Sequence, residues 1–281
     1  MGDPLAGRQA AFNVSSRGQW AAFAEHRRRV TGLLAAGARP GGSRLCVLGA
    51  GNANDLELPA LLAAHRAVHL VDLDADALAQ GAAGQGVAGH PGLRLHGGVD
   101  ATATLGVLAG WSPLSAPSPA DLAALAAWPA ARVAAALPGG FDRVASTCLL
   151  SQILETAAHA LGRRHRHLAA VEAALVAGHL RLLARLAAPG GEVLLVAEVV
   201  SSDTLPALPA LPPGDLAGLL PTLARAGNHF RGVHPRQLLA ALRGDPAVGP
   251  LAAASPLAPW RWRLHDRTYL VSGVSFRPGP G

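Results

Sequence analysis

Short, nearly continuous apolar runs alternate with helical stretches from residue 44 onward. The order is RLCVLGA (44–50), a helix from about Asp55 to Arg66, AVHLVDLD (67–74), a helix from Asp74 to about Ala83, then LRLHGGVDA (93–101). Strands buried on both faces read as unbroken apolar segments rather than as alternation, so this β-α-β-α-β order predicts a parallel sheet. Right-handed crossovers then put helices on each side of it. FDRVASTCLLSQIL (141–154) reads as a fourth strand entering a helix. LAAVEAALVAGHLRLLARLAAPGG (168–191) reads as an amphipathic helix stopped by Pro-Gly-Gly, and EVLLVAEVV (192–200) as a fifth buried strand.

Around this core the pattern changes. Residues 17–36 place Trp20, Phe23, Val30, Leu33 and Leu34 near helical spacing, which predicts an N-terminal helix ended by GARPGG. The Pro/Ala-rich stretch 102–140 is an expanded connection with a helix capped near Ser118, and 201–250 is Pro-broken with short helices around 215–226 and 235–243. WRWRLHD and RTYLVSGVSF (260–276) alternate with period two around a charged turn, which predicts an antiparallel hairpin. The expected fold is α/β: a three-layer α/β/α sandwich with a mostly parallel seven-stranded sheet ending in a C-terminal antiparallel hairpin. No internal repeat is visible, and residues 1–281 read as a single domain.

With 281 residues, half of them apolar, the chain can bury one large core. All 24 basic residues are Arg, and 33 Gly and 22 Pro accompany them, so the formal charge of +6 reflects coding bias rather than a basic binding surface. Aromatics at 4% offer little for base stacking. The Arg residues are dispersed apart from Arg27-Arg28-Arg29 and GRRHRH (162–167), which argues against a nucleic-acid partner. Cys46 and Cys148 lie in apolar segments at no zinc spacing, so reduced core thiols are expected and no metal. MGDPLAGRQAAF carries no basic-then-apolar leader, Ala6 stands where a myristoylation site needs Ser or Thr, and no uninterrupted apolar span is long enough for a membrane. The expected location is the cytoplasm.

Candidate chemistry begins at LCVLGAGNANDLELPAL (45–61), a strand, a glycine turn and a helix. Gly49 and Gly51, with Ala50 between them, free the backbone and let a ligand approach the main chain; the same pair also suits a purely structural turn. Asn54 occupies the position of the last glycine of a dinucleotide-binding G-x-G-x-x-G, and either Asn54 or Asp55 can cap the next helix. Asp72, followed by Leu73, ends the second strand 21 residues beyond Gly51, where a carboxylate can accept from both ribose hydroxyls. Asp100, followed by Ala101, comes after the third strand, where an acid can meet an adenine amino group. Asp74 reads as a helix cap. Ser146, Thr147 and Cys148 end the fourth strand at the crevice edge, and Cys148 has no base suggested nearby.

These motifs together resemble the class I S-adenosylmethionine-dependent methyltransferases. VLGAGNAND resembles that family's G-x-G-x-G motif with Ala53 at the third glycine, and VHLVDLDADALAQG its acidic second motif. GGVDAT, FDRVASTCLLSQIL and LLARLAAPGGEVLLVAE resemble the elements that follow, so the likeness covers about 44–200 plus the hairpin. The resemblance implies S-adenosylmethionine as cofactor, with Gly49, Ala50, Gly51 and Asn54 near its methionine part, Asp72 and Leu73 at the ribose, Asp100 and Ala101 at the adenine, and Ser146 on the crevice wall. It also implies methyl transfer to a small molecule. The chain then divides into a helical cover (1–40), a cofactor-binding core (44–200), a substrate cover (201–259) and the hairpin (260–276). Binding without turnover is the alternative, and a nicotinamide-dependent oxidoreductase is disfavoured by Asn54 and the hairpin.

The acceptor is expected under NVSSRGQW (13–20) and RAGNHFRGVHP (225–235), which concentrate polar and aromatic residues. His229 or His234 is a candidate general base, Arg17 or Arg231 a candidate clamp for a carboxylate, and Trp20 and Asn228 further contacts. The plainer reading of GNHFRG is a turn with Phe230 as a core anchor, and of His165 and His167 a solvated basic loop. The sequence does not specify the oligomeric state.

Overall fold

The computed structural model of the chain describes residues 4–38 and 42–279. Helices α1 (Pro4–Ser16) and α2 (Ala24–Ala35) come first. The alternation follows: β1 (Arg44–Leu48), α3 (Leu58–Ala64), β2 (Ala67–Val71), α4 (Ala75–Gly84) and β3 (Leu93–His96). The expanded connection holds α5 (Leu105–Ala109), α6 (Pro119–Trp128), a π turn over Pro129–Val133 and α7 (Ala134–Ala136). Then come β4 (Phe141–Thr147), α8 (Leu149–Leu161), α9 (Leu168–Leu186) and β5 (Ala187–Ser201). The chain closes with α10 (Leu216–Ala226), α11 (Pro235–Gly244), β6 (Leu251–Pro256), β7 (Trp260–Leu264) and β8 (Arg267–Pro278).

The sheet runs β3-β2-β1-β4-β5-β8-β6, with β7 also paired to β8. Strands β1 to β5 are parallel, and β8 returns antiparallel to β5. β6 pairs with residues 274–278 of β8 and β7 with residues 267–271, so the two share one edge as an interrupted strand. Seven strand positions result, mostly parallel and closed by the predicted hairpin.

Strand parity sorts the core. Cys46, Leu48, Val144, Val193 and Leu195 face α8, α9 and α11, whereas Leu45, Val47, Ala145, Leu194 and Val196 face α2, α3, α4 and the tryptophans of β7. Both faces of the central strands are therefore apolar, as unbroken runs require. A smaller cluster of Val199, Val200, Leu208, Leu216, Leu223 and Leu270 anchors α10 over the end of β5. Caps punctuate the helices: the Asp74 side chain accepts from Ala77 N, and Ser118 and Asp121 form a capping box.

Three expectations change. The N-terminal helix starts at Ala24, because residues 17–23 form turns in which the Arg27 guanidinium donates to Trp20 O; a separate helix, α1, precedes them. The helix after β1 spans Leu58–Ala64 rather than Asp55–Arg66; Pro59 lies in its first turn, and neither Asn54 nor Asp55 is its cap. Leu251–Pro256 belongs to the sheet edge instead of the cover segment. Arg39, Pro40 and Gly41 of the predicted GARPGG stop, like residues 1–3 of the N-terminal cover, lie outside the described residues. Among the described residues no helix is long and apolar enough to cross a membrane.

The β5–β8 seam has no room for added atoms at Gly273, where a Cβ would meet Leu195 O at 1.8 Å. Gly273→Ala is expected to cost about 3 kcal/mol, at the upper end of ordinary overpacking. Gly218→Ala, on α10 with nothing within 4 Å of the new methyl, is expected to gain up to about 1 kcal/mol. Denaturant unfolding of the two variants checks this; equal effects would place the seam elsewhere.

Candidate functional site

The tips of β1, β2 and β3 converge on one cleft, lined by Gly49, Asp72, Leu73, Val99, Asp100, Ala101 and Thr102 with Leu149, Gln152 and Ile153 of α8. Gly49 (φ 72°) and Gly51 (φ 46°) take left-handed conformations, and so does Ala53 (φ 54°). A side chain at such a φ costs about 1–2 kcal/mol, which is the physical reason a glycine suits the third position of this motif. Four of the turn's amides, those of Gly49, Ala50, Gly51 and Ala53, are already engaged, however. Gly49 N and Ala50 N donate to Val71 O, and Ala53 N donates to Ala50 O. The turn thus offers a surface without Cβ atoms rather than open donors.

The two acids are held firmly. Asp72 Oδ2 accepts from Gly51 N at 2.8 Å, and Oδ1 from Asp74 N at 2.9 Å. Asp100 Oδ1 accepts from Thr102 N and Oγ1, and Oδ2 from Leu105 N at 2.9 Å. Burial raises the pKa of Asp72, opposed by these amides. Above them lies α1, absent from the sequence expectation. Its Gln9 and Asn13 line the cleft, and Asn13 Nδ2 approaches Asp72 Oδ1 and Asp74 Oδ2 at 3.4 Å each. With α1 seated, the free space is about 40 Å³.

A second and larger cavity of about 870 Å³ opens beside the cleft, and Gln152 lines both. His229, Phe230 and Arg231 face it from the predicted cover, with Phe12 and Tyr269 adding aromatic wall and Glu198 of β5 a carboxylate. Arg231 also lines it and is paired through Nη1 with Glu172 at 3.0 Å. His229 Nδ1 bonds to Phe230 O, leaving Nε2.

Other predicted contacts fall outside these spaces. His234 is 3% exposed; its Nδ1 accepts from Arg236 N as the cap of α11 and its Nε2 bonds to Leu220 O, so both ring nitrogens are spent. Ser146 is fully buried against His179 Nε2 at 2.8 Å, because it shares the strand parity of Val144 and faces α9 rather than the crevice. Asn54 Nδ2 donates to Ser16 O and Asn54 O accepts from Arg27, which ties it to the N-terminal helices. Asn228 donates to Thr204 O. Trp20 is 42% exposed and stacks on the Arg27 guanidinium; neither it nor the exposed Arg17 lines either of these two spaces.

Behind the strand tips sits a polar cluster that periodicity did not reveal. Burial raises the Asp55 pKa from its ordinary 3.8 to about 6, with Glu198 adding to the rise. Cys148 stands at φ 54° ahead of α8, its thiol pushed well up by burial and by the charges of Glu198 and Asp55, so it is no nucleophile. Burial lowers His26 to about 3; its Nδ1 accepts from Trp260 Nε1, which leaves the proton on Nε2, 4.0 Å from Cys148 Sγ. One signal was available: Glu198 interrupts the apolar run that follows Glu192 in EVLLVAEVV, where an apolar residue would serve packing better. Cys46 and Cys148 are both free and buried. Among the described residues no group of three or more His, Cys, Asp or Glu is placed to hold a metal ion.

No protein-family model matches the sequence, and comparison with curated proteins finds no match. Among solved structures, the chain is similar to the YcgJ protein of Bacillus subtilis at 13% identity and a TM-score of 0.46, covering 90% of this chain and 100% of that one. It is similar to the N-methyltransferase NodS of Bradyrhizobium japonicum, in complex with S-adenosylhomocysteine, at 12% and 0.43, covering 91% and 87%. It is also similar to the magnesium protoporphyrin IX methyltransferase of Synechocystis at 15% and 0.42, covering 90% and 82%.

Two outcomes follow from the geometry. Asn13→Ala is expected to tighten S-adenosylhomocysteine binding severalfold in calorimetric titration, because the side chain lying against Asp72 is removed; a tenfold loss would make Asn13 a ligand contact instead. Asp55→Asn is expected to stabilise the chain progressively as pH rises from about 4 to 6 and evenly above that. At lower pH the folded and unfolded chains both hold the proton, whereas above it the buried charge, at 9% exposure, costs up to about 3 kcal/mol. A melting-temperature difference that is flat between pH 3.5 and about 7 would refute the assignment.

Proposed function

We propose that the chain is an S-adenosylmethionine-dependent methyltransferase acting on a small molecule. The observation that carries this reading is the pair of adjoining spaces at the strand tips: a cleft with two fixed carboxylates and a large cavity, joined at Gln152. Open α/β sheets bind ligands at this edge.

The donor set fits the cofactor. A carboxylate has about four acceptor positions. With Gly51 N on Oδ2, Asp74 N on Oδ1 and Asn13 turned away, Asp72 keeps one acceptor position on each oxygen, which suits the two adjacent hydroxyls of a ribose. Asp100 keeps one position on Oδ2, which suits a single amino group. The bare edge of Gly49 lies against Leu149, where a Cβ would stand 2.8 Å from that side chain's own Cβ. Space is the remaining condition: small-molecule sites hold roughly 300–1,000 Å³, so α1 must withdraw from the cleft on binding. The two Asn13 side-chain contacts at 3.4 Å are weak enough to be exchanged, and withdrawal also exchanges the bonds of Asn52 to Asn13 O and of Asn54 to Ser16 O.

Bound there, the cofactor supplies a methyl group already activated by a sulfonium. The chain's own task is then to orient an acceptor, exclude water and receive a proton where the acceptor carries one. The larger cavity provides the enclosure, its size suiting a drug-sized molecule.

S-adenosylhomocysteine at 100 times its dissociation constant is expected to stabilise the wild type by about 2.7 kcal/mol in thermal titration. NAD and NADP are expected to do nothing. Asp72→Ala is expected to abolish the stabilisation while the protein stays folded by circular dichroism. A response to NAD in place of S-adenosylhomocysteine would end the proposal.

A further inference from the structure

We propose that the acceptor is a cationic amine with an aromatic body, held by the carboxylate of Glu198; this rests on the methyl-transfer reading above. The argument is one of charge pairing inside the 870 Å³ cavity. Three of its four acids already face arginines. Glu155 lies near Arg163 and Arg8, Glu172 faces Arg231, and Asp203 faces Arg267. Each of the four arginines of the lining has an acid within 4 Å, but Arg163 and Arg8 share the single carboxylate of Glu155, so Glu198 rather than the arginines sets the acceptor's charge.

Glu198 is different. Among the described residues it forms no ion pair, and its Oε2 accepts from Ser151 Oγ at 2.6 Å. The groups acting around it are the Ser151 hydroxyl of α8, the Cys148 thiol between β4 and α8, and the Asp55 carboxyl beyond β1. None brings positive charge, and one is a second acid. Burial raises its pKa. Glu198 is partly buried, and a carboxylate withdrawn from water without a counter-ion is costly unless a cation arrives with the ligand. The surrounding wall includes Phe12, Phe230 and Tyr269, which match an aromatic body and favour a nearby ammonium.

The placement also serves proton transfer. An ammonium donating N–H to Glu198 is unreactive as a nucleophile until that proton moves. Breaking N–H and forming O–H on the carboxylate leaves a neutral amine with its lone pair, and no further reactant is needed. Glu198 shares the cavity with Gln152, which also borders the cofactor cleft, so the freed nitrogen is on the side where a methyl donor is expected.

Calorimetric titration of the wild type with phenethylamine, phenethyltrimethylammonium and 2-phenylethanol, each with and without saturating S-adenosylhomocysteine, tests the inference. Both cations are expected to bind about tenfold or more tightly than the alcohol. Glu198→Gln is expected to erase that preference while binding S-adenosylhomocysteine as the wild type does, which also shows that the variant is folded. An alcohol that binds as well as the cations, no binding of either cation, or a preference that survives Glu198→Gln overturns the inference; if that variant does not fold, the wild-type comparison decides alone. Amine binding by a protein that ignores S-adenosylhomocysteine would instead sink the methyl-transfer reading and leave the amine site standing.

Discussion

The carboxylate of Asp72 joins two strand tips: it accepts from Gly51 N after β1 and from Asp74 N after β2, and so fixes the turn and the start of α4 together. The rest of the cleft depends on that arrangement. Gly49 and Gly51 can adopt left-handed backbone because they carry no Cβ, and Ala53 follows them at a cost that the packing around it absorbs. Asp100 does the same for the loop after β3 by accepting from Thr102 and Leu105. Each acid therefore has a structural duty and retains acceptor capacity for a ligand. The structural and functional readings of these residues are not rivals here.

Charge distribution divides the region in two. Near the strand-tip cleft, carboxylates meet backbone amides, which suits neutral hydroxyl and amino donors. Around the larger cavity, arginines neutralise the rim, and the unpaired charge sits inward at Glu198 beside Asp55 and Cys148. Two acids raised by burial, Asp55 in the loop after β1 and Glu198 in β5, reduce stability, and such a cost is tolerated where a site uses it. Histidine does not take this role. His26, His179 and His234 are buried in hydrogen bonds that hold helices and strands in place, while His229 stays at the cavity wall.

The order of elements was legible because unbroken apolar runs are local signals; the Pro-Gly-Gly of 189–191 falls within β5, since α9 already ends at Leu186. Also legible were the Asp74 and Ser118 caps, the short helices near 215 and 235, and the closing hairpin, each written in adjacent residues. Helix α1 was not, since PLAGRQAAFNVSS has little apolar periodicity and is held by contacts to residues far along the chain, such as Gln9 to Thr156 and Asn52 to Asn13 O. β6 escaped notice for a similar reason: LAAASP becomes a strand through pairing with β8.

Sequence by itself determined the parallel core, the glycine turn and the two acids at successive strand ends, because spacing along an alternating chain sets which residues stand at the sheet's edge. Tertiary structure decided which polar groups are spent. Ser146 turned inward by strand parity, His234 became a cap, Arg231 found Glu172, and Glu198 was left without a cation. Except for the His234 cap, which is a contact with Arg236 two residues on, those outcomes depend on partners more than 30 residues away, and no local pattern encodes them.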